Sequence, residues 1–246
     1  MKQFLITGDS SGLGKALVEE ALKNSETRKV VGISRRGLAL DDPRYFSLKC
    51  DLTQPSDLKK IIDEPLSELF KTDEAQDDTL IIINNAGMIG QISRSDSAQL
   101  DDLQNIMNVN VVSACLLMDA AINIFSKKFK FTQVYNINSG AGYNAYDGWA
   151  QYCTSKAALL MYANVRRIEI ETDNQKDKVW ITTVIPGIFD TPMQTEIRSV
   201  ECSSQFSMKD KFIALKEEGE LKTPQNVAQD ILKAKVIEKL EVLNIR

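Results

Sequence analysis

The chain is expected to form an α/β fold, a doubly wound parallel sheet of seven strands with helices on both faces. Three observations predict it. Short apolar, β-branched runs alternate with longer stretches of helical periodicity along the whole length. Most of the short runs are continuously apolar rather than alternating, as in strands covered on both faces. The first of them runs into a turn of glycine and serine that opens a helix.

Taken in order, Phe4–Thr7 is the first strand and Leu13–Lys23 the first helix. Lys29–Ser34 and Tyr45–Cys50 supply the next two strands, and Ser56–Phe70 a helix. The acidic stretch Lys71–Asp78 reads as a solvated loop before the strand Leu80–Asn84. Helix Leu103–Ser126, strand Thr132–Asn138, helix Tyr152–Ile170 and strand Val179–Ile185 continue the alternation. Thr223-Pro224 gives an N-cap and a proline at the first helical position of the last helix, Gln225–Lys239. Glu241–Ile245 closes the sheet, with right-handed crossovers throughout. Only Ile188–Lys222 breaks the rhythm. A connection of more than thirty residues is long enough to be an active-site lid. With no repeat and no Gly/Ser/Pro-rich linker, residues 1–246 read as one domain.

Composition excludes several function classes. At 246 residues, 43% hydrophobic and 26% charged, this is an ordinary globular protein with room for a large core. A net charge of −4 and a pI near 5.1 argue against nucleic acid. The densest basic patch, Lys127-Lys128-Phe129-Lys130, reads as a solvated helix end. No signal peptide precedes the first strand and no apolar run approaches a membrane span, so a cytoplasmic protein is expected. Cys50, Cys115, Cys153 and Cys202 lie far apart and read as reduced thiols. There is no histidine, which removes Ser-His and Cys-His hydrolysis, and no metal-ligand spacing is present.

The turn Thr7-Gly8-Asp9-Ser10-Ser11-Gly12-Leu13-Gly14 lies between strand and helix. Glycines there permit a tight bend and let backbone N–H groups approach a pyrophosphate at the helix N-terminus. Folds of this kind that prefer NAD carry an acid about twenty residues on, bonded to the ribose 2′-hydroxyl. Here Ser34 stands in that place, followed by Arg35 and Arg36. A carboxylate repels a 2′-phosphate, whereas serine and arginine accept one, so NADP(H) is the expected cofactor.

Tyr152 and Lys156 are four residues apart, about one helical turn, with Ser139 upstream at the end of an apolar run. A phenol, with a pKa of about 10, gives up its proton more readily beside an ammonium. A serine hydroxyl can hydrogen-bond a carbonyl oxygen as charge builds there. Together the three suit a carbonyl⇌alcohol interconversion in which the protein moves the proton. Around them, Tyr143, Tyr146 and Trp149, with the lid's Ile188, Phe189, Met193, Ile197, Phe206, Met208, Phe212, Ile213 and Leu215, suit a small organic ligand. Some of these, Phe212 and Leu215 among them, are expected to pack the lid itself.

Thr7-Gly8, Gly12, Gly14, Asn84-Asn85-Ala86-Gly87, Asn110, Ser139, Tyr152, Lys156 and Pro186-Gly187 occur in the order and spacing of the short-chain dehydrogenases/reductases. The resemblance covers essentially the whole chain and implies a Rossmann-type sheet. It assigns Tyr152 as general acid and base, Lys156 as the group that lowers the tyrosine pKa and binds the nicotinamide ribose, and Ser139 as the group that orients the substrate oxygen. Asn110, rather than neighbouring Asn108, would hold a water linking Lys156 to solvent.

For the cofactor, the resemblance adds Asn85, Ala86 and Gly87 beside it, Asp51 and Leu52 at the adenine, and Pro186, Gly187, Ile188 and Thr191 at the nicotinamide carboxamide. NADP-preferring relatives often have a basic residue where Ser11 stands, which leaves the phosphate mainly to Arg35. Trp149, Tyr152-Cys153 and Asp190-Thr191 with Met193-Gln194 resemble the sepiapterin reductase and benzil reductase branch, which reduces vicinal dicarbonyls or a pterin side-chain carbonyl with NADPH. Tyr146, Trp149, Phe189 and Met193 are then pocket residues. A 3-oxoacyl-thioester or sugar reductase, or an NADP(H) sensor without turnover, remains open as an alternative. Many relatives pair the helices here at Leu103–Ser126 and Tyr152–Ile170 with their copies. That implies a homodimer or homotetramer, with Ala157, Ala158, Met161 and Ala163 suited to close contact.

Overall fold

In the strands, residues two apart share a face, and this pleat divides the core into two layers. On one face, Phe4, Ile6, Val30, Ile81 and Ile83 pack against Leu13, Leu17 and Ala21 of the first helix and Val227 and Ile231 of the last. On the other, Leu5, Val31, Leu80, Ile82 and Val134 pack against Leu58, Leu117, Met118, Leu159 and Ala163. The computed structural model describes residues 1–70, 77–94, 99–200, 206–233 and 241–245.

The strands are β1 (Lys2–Thr7), β2 (Thr27–Ser34), β3 (Tyr45–Lys49), β4 (Thr79–Asn84), β5 (Phe131–Ile137), β6 (Val179–Ile185) and β7 (Val242–Asn244). They form one sheet in the order β3-β2-β1-β4-β5-β6-β7, and every pair is parallel. The order reverses between β1 and β4, which opens a crevice at their carboxyl ends.

The helices are α1 (Gly12–Lys23), α2 (Pro55–Asp63), α3 (Pro65–Leu69), α4 (Leu100–Met107), α5 (Ser113–Asn123), α6 (Ala150–Thr172), α7 (Pro192–Arg198), α8 (Lys209–Glu217) and α9 (Pro224–Lys233). Thr223 caps α9 as the sequence implies, its Oγ1 accepting the Asn226 N–H at 3.2 Å. The remainder of the expected helix to Lys239 lies outside the described residues, as do Lys71–Gln76 and Cys202.

Four expectations are corrected. The helix Ser56–Phe70 is two, because Pro65 has no N–H for the preceding turn and restarts the helix. The helix expected from Leu103 begins at Leu100 and is interrupted by a π turn at Asn108–Val112. Asp78 is not solvated; it is buried, paired with Arg28 at 2.8 Å and bonded by Gln3 at 2.9 Å. The helical run Leu100–Lys127 does contain an 18-residue stretch with the length and apolarity of a membrane span, at a mean hydropathy of 1.6. Half of that stretch is buried inside the protein, where α5 packs on the sheet in the same layer as α6.

Among the described cysteines, Cys50 is buried, Cys115 and Cys153 are half-buried, and all three are free thiols. The described residues contain no cluster of His, Cys, Asp or Glu that could hold a metal.

Candidate active site

At the carboxyl ends of β1 and β4 two turns are tied together. Thr7 Oγ1 accepts the N–H groups of Asn85 and Ala86, both at 3.0 Å, and Asn85 Nδ2 donates to the Thr7 carbonyl at 2.9 Å. Gly8 has φ +72°, and a Cβ there would lie 3.0 Å from Ala86 Cα, so only glycine allows the approach. Gly14 serves the same turn from behind: a Cβ on it would lie 2.1 Å from the Gly8 carbonyl oxygen.

A single cavity of about 720 Å³ opens over these turns. Ser10, Ser11, Gly12 and Leu13 line it where α1 begins. At one end, Ser34 Oγ accepts the Gly37 N–H at 3.1 Å and so braces the loop that carries Arg35 and Arg36. Both arginines are exposed, line the cavity and make no ion pair among the described residues. Asp51 and Leu52 form the neighbouring wall, where Asp51 Oδ1 accepts from the Thr53 N–H at 3.0 Å and the Thr53 hydroxyl at 2.9 Å. Pro186, Gly187, Ile188 and Thr191 line the opposite stretch. There Thr191 caps α7 through the Gln194 N–H at 3.3 Å.

Ser139 follows β5 and caps a short turn over Gly140–Gly142, its Oγ accepting the Ala141 N–H at 3.1 Å. The same side chain acts on Tyr152 and pulls its pKa down. Tyr152 and Lys156 project from one side of α6, both buried, with the lysine ammonium 5.7 Å from the tyrosine ring centre. Lys156 Nζ donates to the Ile137 carbonyl at 2.9 Å. Burial pushes the lysine pKa down to about 8. Burial pushes Tyr152 up to about 12, against the pull of Ser139. The expected lowering of the tyrosine by Lys156 is not found: desolvation of the phenolate dominates, and the opposing pull comes from Ser139.

Asn110 does not touch the cavity. The π turn turns it inward, where Oδ1 accepts the Met88 N–H at 2.9 Å and Nδ2 donates to the Met88 carbonyl at 2.9 Å and to Ser155 Oγ at 3.0 Å. Gly87 separates it from the lysine: a Cβ there would lie 3.4 Å from Asn110 Oδ1 and 3.7 Å from Lys156 Nζ. Asn108 goes elsewhere, donating to the Thr53 carbonyl at 2.9 Å.

The substrate side is aromatic. Trp149 stacks on Phe206 with centroids 4.8 Å apart, meets Tyr152 edge-on at 5.7 Å, and touches Tyr146 at 5.3 Å and Phe212 at 5.6 Å. Trp149, Tyr146, Phe189 and Met193 all line the cavity, whereas Tyr143 points to solvent and Leu215 is only half-buried.

Sequence reasoning missed Asn138, whose Oδ1 accepts the Ser139 N–H at 2.8 Å and whose Nδ2 donates to the Lys156 carbonyl at 3.1 Å. Its position directly before Ser139 was the available signal. It also missed Ser155, which gives no signal outside the fold because its partner Asn110 is remote in sequence.

The short chain dehydrogenase family matches residues 2–201 of the chain. A benzil reductase ((S)-benzoin forming) of Bacillus cereus is 34% identical, covering 94% of this chain and 92% of that protein. A sepiapterin reductase of Meriones unguiculatus is 28% identical over 93% of this chain and 88% of its own. The crystal structure of the KRED1-Pglu enzyme superposes with a TM-score of 0.81 at 25% identity, over 99% of this chain and 100% of that one. With a parallel seven-stranded sheet, a glycine turn at its reversal point and a Ser-Tyr-Lys cluster beside it, the chain belongs to the short-chain dehydrogenases/reductases, NAD(P)-dependent oxidoreductases that interconvert C=O and CH–OH.

Proposed function

We propose that the protein reduces a ketone with NADPH, and that the ketone is a vicinal diketone or a pterin side-chain carbonyl. The carrying observation is that Ser139, Tyr152 and Lys156, with the lysine ammonium over the tyrosine ring, share the wall of a cavity that the glycine turn also lines. The residues fit a dinucleotide: a turn that tolerates no side chain at Gly8, serines at a helix N-terminus, and two arginines at the rim that make no ion pair among the described residues. Arg35, helped by Arg36, Ser34 and Ser11, would hold a 2′-phosphate. Asp51 and Leu52 would meet the adenine, and Pro186 to Thr191 the carboxamide. NADPH supplies the hydride.

The remaining chemistry belongs to the chain. Tyr152, with its pKa pushed up to about 12, keeps its proton throughout the neutral range and donates it to the carbonyl oxygen. Ser139 orients that oxygen by hydrogen bonding. Lys156 faces the phenolate left behind and would bind the ribose hydroxyls, and a water held by Asn110 would link Lys156 to solvent past Gly87. The aromatic wall and the similarity to benzil and sepiapterin reductases support the substrate class. NADPH oxidation with benzil and other diketones, compared with simple ketones, tests it. Turnover is expected with the dicarbonyls; tight NADPH binding with no turnover on any carbonyl would overturn it.

We place the protein in the cytoplasm as a homodimer or homotetramer. Met161, Val165 and Ile168 of α6 are 62%, 45% and 64% exposed and form one apolar stripe, continued by exposed Ala157. Ala163, expected in that contact, is instead buried in the core. Light scattering is expected to give about two or four times the 27.5 kDa chain mass, and Val165→Glu with Ile168→Glu should return it to one. A monomeric, active wild type would refute the contact.

A further inference from the structure

Behind the glycine-rich turn lies a polar contact that the proton transfer does not use. Asp9 is wholly buried, although its neighbours Ser10 and Ser11 line the cavity. Its carboxylate fills the place left by Gly32 in β2, where a Cβ would lie 1.9 Å from Asp9 Oδ2 and 2.7 Å from the Tyr45 hydroxyl. That carboxylate oxygen accepts a hydrogen bond from Tyr45 of β3. Burial and the carboxylate hold the Tyr45 pKa well above the usual phenol range, so the tyrosine stays the donor.

The Ser47 side chain and the Leu38 backbone also act on the Tyr45 hydroxyl, each pulling its pKa down. Ser47 in turn lies against the loop after β2: a Cβ on Gly37 would come within 2.5 Å of Ser47 Oγ. A chain of polar groups, buried at Asp9, half-buried at Tyr45 and exposed at Ser47, therefore runs from the turn after β1, across β2 at its glycine, to β3 and the loop that carries Arg35 and Arg36. The other carboxylate oxygen, Asp9 Oδ1, has no hydrogen-bond partner among the described residues. A half-satisfied buried acid is costly, and such departures from good packing concentrate where function needs them.

We infer that Asp9, Gly32 and Tyr45 form a positioning unit that locks the glycine-rich turn to the arginine loop, holding in register the two segments that grip the adenosine end of the cofactor. The inference rests on reading the cavity as a dinucleotide site. It places these residues outside the reacting centre, so their loss acts on cofactor affinity and leaves the chemical step alone.

The test is fluorescence titration of NADPH and NADH, with steady-state kinetics, on wild type, Tyr45→Phe, Asp9→Asn, Gly32→Ala and the double variant Asp9→Ala/Gly32→Ala. Tyr45→Phe should raise the Kd and KM for NADPH about tenfold, the size of one hydrogen bond to a charged group, with kcat within about twofold. Asp9→Asn keeps the shape and an acceptor oxygen, and should stay within about threefold of wild type. Gly32→Ala should bind poorly, because the methyl meets the carboxylate. Adding Asp9→Ala should restore much of that loss by making room for the methyl. Unchanged Kd in Tyr45→Phe, or a double variant no better than Gly32→Ala, would overturn the inference while the cofactor reading stands. A wild type that binds neither cofactor would remove the cofactor reading and this role with it.

Discussion

Around Ser139 and Tyr152 the cavity wall is held by directional hydrogen bonds among buried groups, whereas the lid opposite is held by stacked rings and surface ion pairs. Asn138, Asn110, Ser155 and Lys156 each have a specific partner 2.8 to 3.1 Å away, and all are buried. Lid residues Phe206 and Phe212 instead pack on Trp149, and at the surface Asp190 pairs with Lys216 and Arg198. Asp147, which takes the Ser207 N–H at 3.0 Å, ties the lid to the segment before α6. A buried polar group that loses its partner is penalised sharply, while an apolar contact depends mainly on volume. The first region is thus committed to one reaction, and the second can change its substrate without losing the fold.

The sharpest way to break this contrast is Tyr152→Phe. Removing the proton donor should lower turnover roughly 10²–10⁴-fold and leave NADPH binding nearly intact. Single-turnover kinetics with a diketone would check it, and a wild-type rate would remove Tyr152 from the mechanism.

At the adenosine end, Ser34→Asp with Arg35→Asp should shift preference from NADPH toward NADH by about a hundredfold, since carboxylates repel the 2′-phosphate and bind the ribose hydroxyl. The ratio of kcat/KM for the two cofactors reports it. Equal use of both by the wild type would refute the arginine argument before any variant is made.

The pH profile follows from the lysine. Its pKa is lowered to about 8, so the ammonium is intact below that value and is lost as pH rises through it, while Tyr152 near 12 remains protonated. The rate of reduction should therefore be level at neutral pH and fall by up to about tenfold per unit above pH 8, in step with the charged fraction. A rate that stays level to pH 10 would show that the charge on Lys156 is dispensable.

The smallest effect belongs to the lid side. Trp149 Nε1 is buried without a hydrogen-bond partner among the described residues, so Trp149→Phe removes volume but none of the hydrogen bonds described. It should change KM for a bulky diketone by no more than about tenfold and alter kcat little. A collapse of kcat would mean that the indole positions Tyr152, and the two regions would then be one.

Much of the architecture was legible locally. The apolar runs of β1, β4 and β6 and the helical period of α1 and α6 depend on neighbours a few residues away, so their order could be read along the chain. The same holds for Tyr152 and Lys156, because a helix brings residues four apart to one side wherever it sits. Pro65 shows the limit of periodicity: the apolar pattern continues through it, but the backbone cannot.

Contacts between remote segments were decided by the tertiary structure alone. Asn110 reaches Met88 and Ser155 only because a π turn rotates it inward, and Asp78 is buried only because β4 lies beside β1. Asp9 meets Tyr45 across the glycine of β2, a contact that no pattern in either segment announces. Even the upward shift of Tyr152 is set by how deeply α6 packs rather than by the lysine one turn away. Spacing along the chain determined which chemical groups are present and which share a helix face. Burial and long-range partners, which arise only when the sheet closes, decided their protonation and their support.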